Sequence, residues 1–199
     1  MSPYRSLEQL LDLVDPSQRD GCRTLLARHA IEIAAAPGSS HNHQAWPGGY
    51  LDHVQEAMNV AVVLHAALAA HRPLEHSLSD ALVVMFLHDL EKPWAYEMKD
   101  GVKVRKPELA EKDGQQAFRL ATATASGLAL TERQIDAMRF VEGEIGHYSN
   151  QRRTMSPLAA FCHLCDVTSA RIWFDHPQPD GDRWDGARRR SQGTPIPAA

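Results

Sequence analysis

Cysteine is scarce in this chain of 199 residues: there are three, an odd number that argues against a disulfide framework and fits a reducing compartment. Cys162 and Cys165 form a C-x-x-C, but no second pair stands at zinc-ribbon spacing. In an apolar stretch the two read as small buried hydrophobes. No apolar run approaches the roughly 20 residues that cross a bilayer, so no membrane span is expected. Tyr4 to Asp15 is acidic and too short an apolar stretch for a secretory signal, and a cytoplasmic protein is expected. A large excess of positive charge is also missing. The formal net charge is -4, which gives no global attraction to nucleic acid, so an anionic substrate must be met by local cations. No internal repeat is present.

What is there is ordinary in bulk. The chain is 43% hydrophobic and 23% charged, as soluble globular proteins are, and long enough for one full core. Helical spacing predicts a short helix over Ser6 to Val14, a longer one over Ser17 to Ala36, and a loop over 37–49. A third helix runs from Tyr50 to Ala70 and a fourth, capped by Ser77 with Asp80, to Glu91, where Pro93 forbids continuation. Between Tyr96 and Arg105 the residues alternate around Asp100-Gly101, a strong hairpin signal. Pro107-Glu108 opens a helix to about Gly127. Thr131 to Gln134 is a capping box for a helix to about Gly143, and a last helix runs from Ser156-Pro157 to about Phe174. The expected fold is all-α, a helical bundle over 1–174 with a small β-hairpin near 95–105, followed by an irregular or disordered tail over 175–199.

Histidine is abundant, with eleven copies, and some stand where a polar side chain is costly. His88-Asp89 closes the apolar run Ala81 to Leu87. A buried carboxylate costs several kcal/mol unless a cation or hydrogen bonds compensate it. Imidazole beside carboxylate suits a divalent transition metal. His53 shares a face with Ala57 and Val60 on the third helix, and Asp166 interrupts the apolar run Leu158 to Cys165. Three apolar helices thus each carry a candidate ligand inward. Adjacent helical residues lie about 100° apart, so His88 and Asp89 can share an ion near a helix end, which Pro93 supplies.

In this order the residues resemble the H…HD…D pattern of the HD-superfamily metal-dependent phosphohydrolases. His43 to His53 (H-Q-A-W-P-G-G-Y-L-D-H) is similar to the Gly-Gly segment of that family's 3′-5′ exoribonuclease branch. His88 to Lys92 resembles its HDxxK element, although Leu90-Glu91 replaces the commoner Ile-Gly. Ser156 to Arg171 resembles its last helix. The likeness spans about residues 41–174. It implies an HD-domain helical bundle in which His53, His88, Asp89 and Asp166 hold a divalent ion (Mn, Mg, Co, Ni, Zn or Fe). It also implies phosphate-ester cleavage by water that the ion activates, with Lys92 facing the phosphate.

His147 falls where dinuclear members place further histidines, and serves as a second ligand, as a proton donor to the leaving group, or as an exposed loop residue. His43 faces phosphate or a second ion on the same resemblance, and Arg171 anchors a carboxylate or phosphate. His163 reads as a core histidine, a ligand or a ligand's neighbour, and His41 as loop surface. Lys103, Arg105 and Lys106 on the hairpin, Arg152-Arg153, and Arg188 to Arg190 are local cations. Gly48-Gly49 suits either an anion at a helix start or a plain loop-to-helix joint. Trp46 suits packing or a stacked base. The expected activity is hydrolysis of a small phosphorylated substrate, a nucleoside tri- or monophosphate. The alternatives are a 3′-5′ exonuclease on single-stranded nucleic acid and a non-catalytic metal- or nucleotide-binding module. Salt dependence and phosphate release separate the three.

Overall fold

The computed structural model describes residues 3–144, 146–147 and 149–190. Eight α-helices and one two-stranded sheet make up the regular structure of these residues. Three helix starts follow from side-chain caps: Ser6 for α1 (Leu7–Leu11), Ser77 for α5 (Leu78–Leu87) and Thr131 for α7 (Glu132–Phe140). Each of these closes a capping box with the residue three positions on.

The centre is built on α4 (Gly49–Ala69) and α5, which pack on each other and on α8 (Pro157–Val167). From Ala81 to Leu87 every residue of α5 is buried. This is why the helix reads as apolar all round rather than striped. Its core partners include Leu51, Val54 and Met58 of α4, Met138 of α7 and Phe161 of α8.

The sheet is as its sequence predicts. β1 (Tyr96–Lys99) pairs antiparallel with β2 (Val102–Arg105), Tyr96 opposite Arg105 and Lys99 opposite Val102. Asp100 and Gly101 both take positive φ, 52° and 77°, as a two-residue hairpin turn demands. Cross-strand partners share a face. Tyr96, Met98, Lys103 and Arg105 therefore lie on one side of the ribbon.

Two expected helices differ in the structure. The stretch 17–36 is two helices, α2 (Pro16–Arg28) and α3 (Ala30–Ala35). His29 leaves helical geometry at φ -117°, ψ 26°, and its ring meets Trp94 edge-on at 5.0 Å, a long-range contact with no local signature. The Pro107 helix begins as a single 3-10 turn, with α6 spanning Lys112–Ala125. After α8 the backbone widens into a π-turn over Thr168–Ile172, and no helix or strand follows to Arg190. That last stretch is nevertheless packed. Ala187 is buried, Tyr4 N donates to Asp185 O at 2.7 Å, and Arg190 N donates to Asp52.

Candidate metal centre

Asp89 and His88 project from the point where α5 gives out. Past Leu87 the backbone tightens, with Leu90 N bonded to Leu87 O and Lys92 N to Asp89 O, so two adjacent residues can turn toward one point. His53 approaches from α4 and Asp166 from the last turn of α8. His53 Nε2 lies 3.0 Å from His88 Nε2, 3.4 Å from Asp89 Oδ2 and 3.3 Å from Asp166 Oδ1. His88 Nε2 lies 3.3 Å from Asp89 Oδ2 and 3.5 Å from Asp166 Oδ1. An ion with bonds of about 2.1 Å spaces adjacent donors about 3.0 Å apart in an octahedron and about 3.4 Å in a tetrahedron. The observed separations run from 3.0 to 3.5 Å, close to that range. His53, His88 and Asp89 form a buried cluster able to hold a metal ion.

The protons give a second, independent test of fit. His88 Nδ1 lies 2.7 Å from the Met85 carbonyl, which can only accept, so Nδ1 carries the hydrogen. His53 Nδ1 lies 3.0 Å from Ser169 Oγ. That hydroxyl spends its own proton on Glu56 Oε2 at 2.6 Å and must accept from His53. With both rings neutral, their Nε2 lone pairs turn inward, 3.0 Å apart and beside two carboxylates. That arrangement repels itself unless a positive charge, a proton on His88 or a metal ion, sits in it.

The titration shifts follow from the same crowding. Burial alone would lower His88, but Asp89 and Asp166 outweigh it and push the ring up to about 10. Burial would raise both carboxylates, yet Lys92 and His88 hold Asp89 well below its usual range. His53 and His88 do the same for Asp166. The centre attracts positive charge.

A pocket of about 880 Å³ adjoins it, lined by the cations Lys92, Lys103, Arg105, Lys112 and Arg171 and by the carboxylates Asp89, Asp166, Glu32, Glu91 and Glu142. Lys92 Nζ reaches Asp89 Oδ2 at 2.5 Å. His43 lines the pocket, its ring centroid 4.6 Å from that of His53. Its Nδ1–H donates to Gln44 Oε1 at 2.8 Å; burial, with His53 and Lys92 nearby, lowers it to about 4, so it is neutral with Nε2 unprotonated. His163 also lines the pocket, and its Nδ1 donates to Val141 O at 2.5 Å. Tyr96, Lys103 and Arg105 bring the corresponding hairpin face to the same opening.

Other expected site residues lie elsewhere. His147 is exposed, its ring edge-on to Phe140 at 5.9 Å, and it is not among the residues around the pocket. Its neighbours Ile145 and Tyr148, like the tail beyond Arg190, lie outside the described residues. The amides of residues 49–52, the first turn of α4, are all bonded to backbone carbonyls, so that turn offers no free donor to an anion. The Gly-Gly segment is a joint. Gly48 has φ 81°, and a Cβ on Gly49 would stand 1.9 Å from Gln44 O. Trp46 donates Nε1–H to Asp52 at 2.8 Å, and the Arg189 guanidinium covers its ring at 3.6 Å, so that face is taken.

Sequence reasoning passed over Gln44, Glu56, Ser169 and His176. Glu56 lies three residues past His53 on a helix whose inward face was already visible, which was the one available signal. The others carry none. No protein-family model, no curated protein and no solved structure matches this chain.

Proposed function

We propose that the chain is a metal-dependent phosphohydrolase of the kind its His53…His88-Asp89…Asp166 pattern resembles, acting on a small phosphate ester, a nucleotide above all. The observation that carries this reading is the buried His53, His88 and Asp89 cluster, with Asp166 Oδ1 against both rings, beside a pocket that Asp89 and Asp166 line together with Lys92, Lys103, Arg105 and Arg171. Either feature alone also occurs in proteins without this chemistry, whereas together they pair an electrophilic centre with anion recognition. His53, His88 and Asp89, with Asp166, would hold a divalent ion, which would supply a more acidic water and Lewis-acid polarisation of a phosphoryl oxygen.

The chain's own groups do the rest. Lys92, one helical turn past Asp89, offers its remaining ammonium hydrogens to a phosphate oxygen entering over the centre. His43 presents an uncharged Nε2 able to accept a hydrogen bond from water or a substrate hydroxyl. Arg171 and Lys103 are exposed and meet the more distant part of the substrate at the rim. Burial of the floor keeps bulk water away from His53 and His88, both essentially inaccessible.

The test is metal-free protein assayed against nucleoside mono-, di- and triphosphates and a single-stranded oligonucleotide, with Mn, Mg, Co, Ni and Zn each restored. Phosphate or pyrophosphate release from a nucleotide supports the proposal. Release of mononucleotides from the oligonucleotide alone moves the reading to an exonuclease. Tight metal and nucleotide binding without turnover under any ion moves it to a binding module.

A further inference from the structure

His53 does not hold its own orientation. Its Nδ1 rests on Ser169 Oγ, Ser169 rests on Glu56, and Glu56 meets a residue from the irregular segment after the last helix, His176. Glu56 is completely buried. Its Oε2 accepts from Ser169 and from Gln44 Nε2 at 2.9 Å, and its Oε1 faces His176 Nδ1. The opposite nitrogen of that ring, Nε2, lies 2.8 Å from Asp182 Oδ1. Asp182 is itself fixed by the amides of Gln178 and Trp184, each at 2.7 Å.

With both carboxylates ionised the proton directions follow. Asp182 accepts from His176 Nε2, His176 Nδ1 stands in ion-pair contact with Glu56 Oε1 without hydrogen-bond geometry, and both carboxylates raise that ring above its usual range despite burial. With Oε1 occupied by His176, Glu56 has only acceptor capacity left for Ser169 and Gln44. Ser169 must donate to Glu56 and can offer His53 only a lone pair. His53 is thereby locked with hydrogen on Nδ1 and a free pair on Nε2, the tautomer a metal ligand requires.

We propose that His176, anchored by Asp182, is a positioning residue for the metal centre, acting through Glu56 and Ser169 to fix the tautomer and orientation of His53. The proposal rests on the metal-centre reading above but adds a claim of its own. The segment from Asp175 to Arg190 belongs to the site although none of its residues lines the pocket. Gln44 tightens the same link, since its Nε2 also bonds His176 O at 3.0 Å and its backbone N bonds Phe174 O at 2.7 Å.

The experiment is Co²⁺ titration of the full chain, followed by visible absorption, for the wild type, His176→Ala, Ser169→Ala, the double variant and His176→Gln. Residues behind metal-ligating histidines typically contribute about 10–100-fold in affinity. Each single alanine variant is expected to weaken Co²⁺ binding by about that factor, with an altered spectrum. The double variant should be no weaker than Ser169→Ala alone, because a severed chain has nothing further to lose. His176→Gln, which keeps one donor toward Glu56, should recover part of the loss. Arg183→Ala, exposed in the same segment but outside the chain of contacts, should bind as the wild type does.

Wild-type affinity and spectrum in Ser169→Ala and His176→Ala would overturn the proposal and leave the metal centre standing. Additive losses in the double variant would also overturn it, reducing His176 to general packing. Failure of the wild type itself to bind Co²⁺ would overturn both readings. Ser169→Ala removes a single oxygen, so it decides the matter even where His176→Ala does not fold.

Discussion

Asp89 and Glu91 stand two residues apart at the end of the same apolar helix, both buried, and the protein treats them in opposite ways. Glu91 is closed. Arg119 of α6 reaches it with Nε at 2.7 Å and Nη2 at 3.0 Å, a two-pronged match of guanidinium to carboxylate. Asp89 is left open, with one lysine at its edge and imidazole lone pairs converging beside it. A carboxylate with a fitted partner serves the fold. One that faces two imidazole nitrogens and a second carboxylate besides its lysine keeps room for a further cation.

The contrast breaks most severely at Asp89. Asp89→Asn should reduce turnover by at least about 1000-fold, near 4 kcal/mol of barrier, while circular dichroism keeps its helical signal. Metal-free stability in urea should fall as well, since an amide cannot meet the Lys92 and His88 charges that hold Asp89 below its usual range. Retained activity in that variant would end the distinction.

Arg119→Ala should act chiefly on stability. It leaves Glu91 buried without its partner and should lower urea stability by about 3–5 kcal/mol. Replacing both residues by apolar side chains of similar volume should recover most of that loss. A smaller effect sharpens the comparison further. At a hundredfold excess over its dissociation constant, a divalent ion should stabilise the wild type by about 2.7 kcal/mol. It should do nothing for Asp89→Asn, and denaturation with and without a chelator reads the difference.

The smallest expected effect concerns the segment after Asp175. His176 is raised above its usual range, burial being outweighed by Glu56 and Asp182. Its contribution to docking is complete below the ordinary histidine pKa and is lost as pH rises through the raised value. Asp182 is lowered, burial being outweighed by the Gln178 and Trp184 amides and by His176. Its contribution is present above the ordinary carboxylate pKa and is lost as pH falls through the lowered value. The segment should be held most firmly between those limits. Amide exchange at Trp184 against pH checks this, and flat protection across the range would contradict it.

Much of the fold was legible because its signals are local. Asp100-Gly101 dictates a turn that few other dipeptides can make, and Ser77 and Thr131 announce their helices three residues ahead. The break at His29 was not legible, for it depends on Trp94, distant in sequence. The π-turn after Val167 has no compositional mark at all. At the site, His53, His88, Asp89 and Asp166 stood out because ionisable groups rarely interrupt apolar helices without cause. Gln44 and Ser169 are unremarkable polar residues whose significance lies in what they touch. His176 was hidden by its surroundings: prolines, glycines and charges suggested a loose end, while Ala187, Trp184 and the caps on Asp52 pack it down.

A π-turn carries one more residue than the α-helix would in the same space. Deleting a single amino acid between Thr168 and Ile172 would let ordinary winding resume and rotate everything downstream by about 100°. A deletion just past Ser169 would then send the segment that carries His176 out in another direction, away from Glu56. The phase between a ligand and its support is therefore counted in whole residues, and a one-codon length change there would uncouple them with every side chain's chemistry intact.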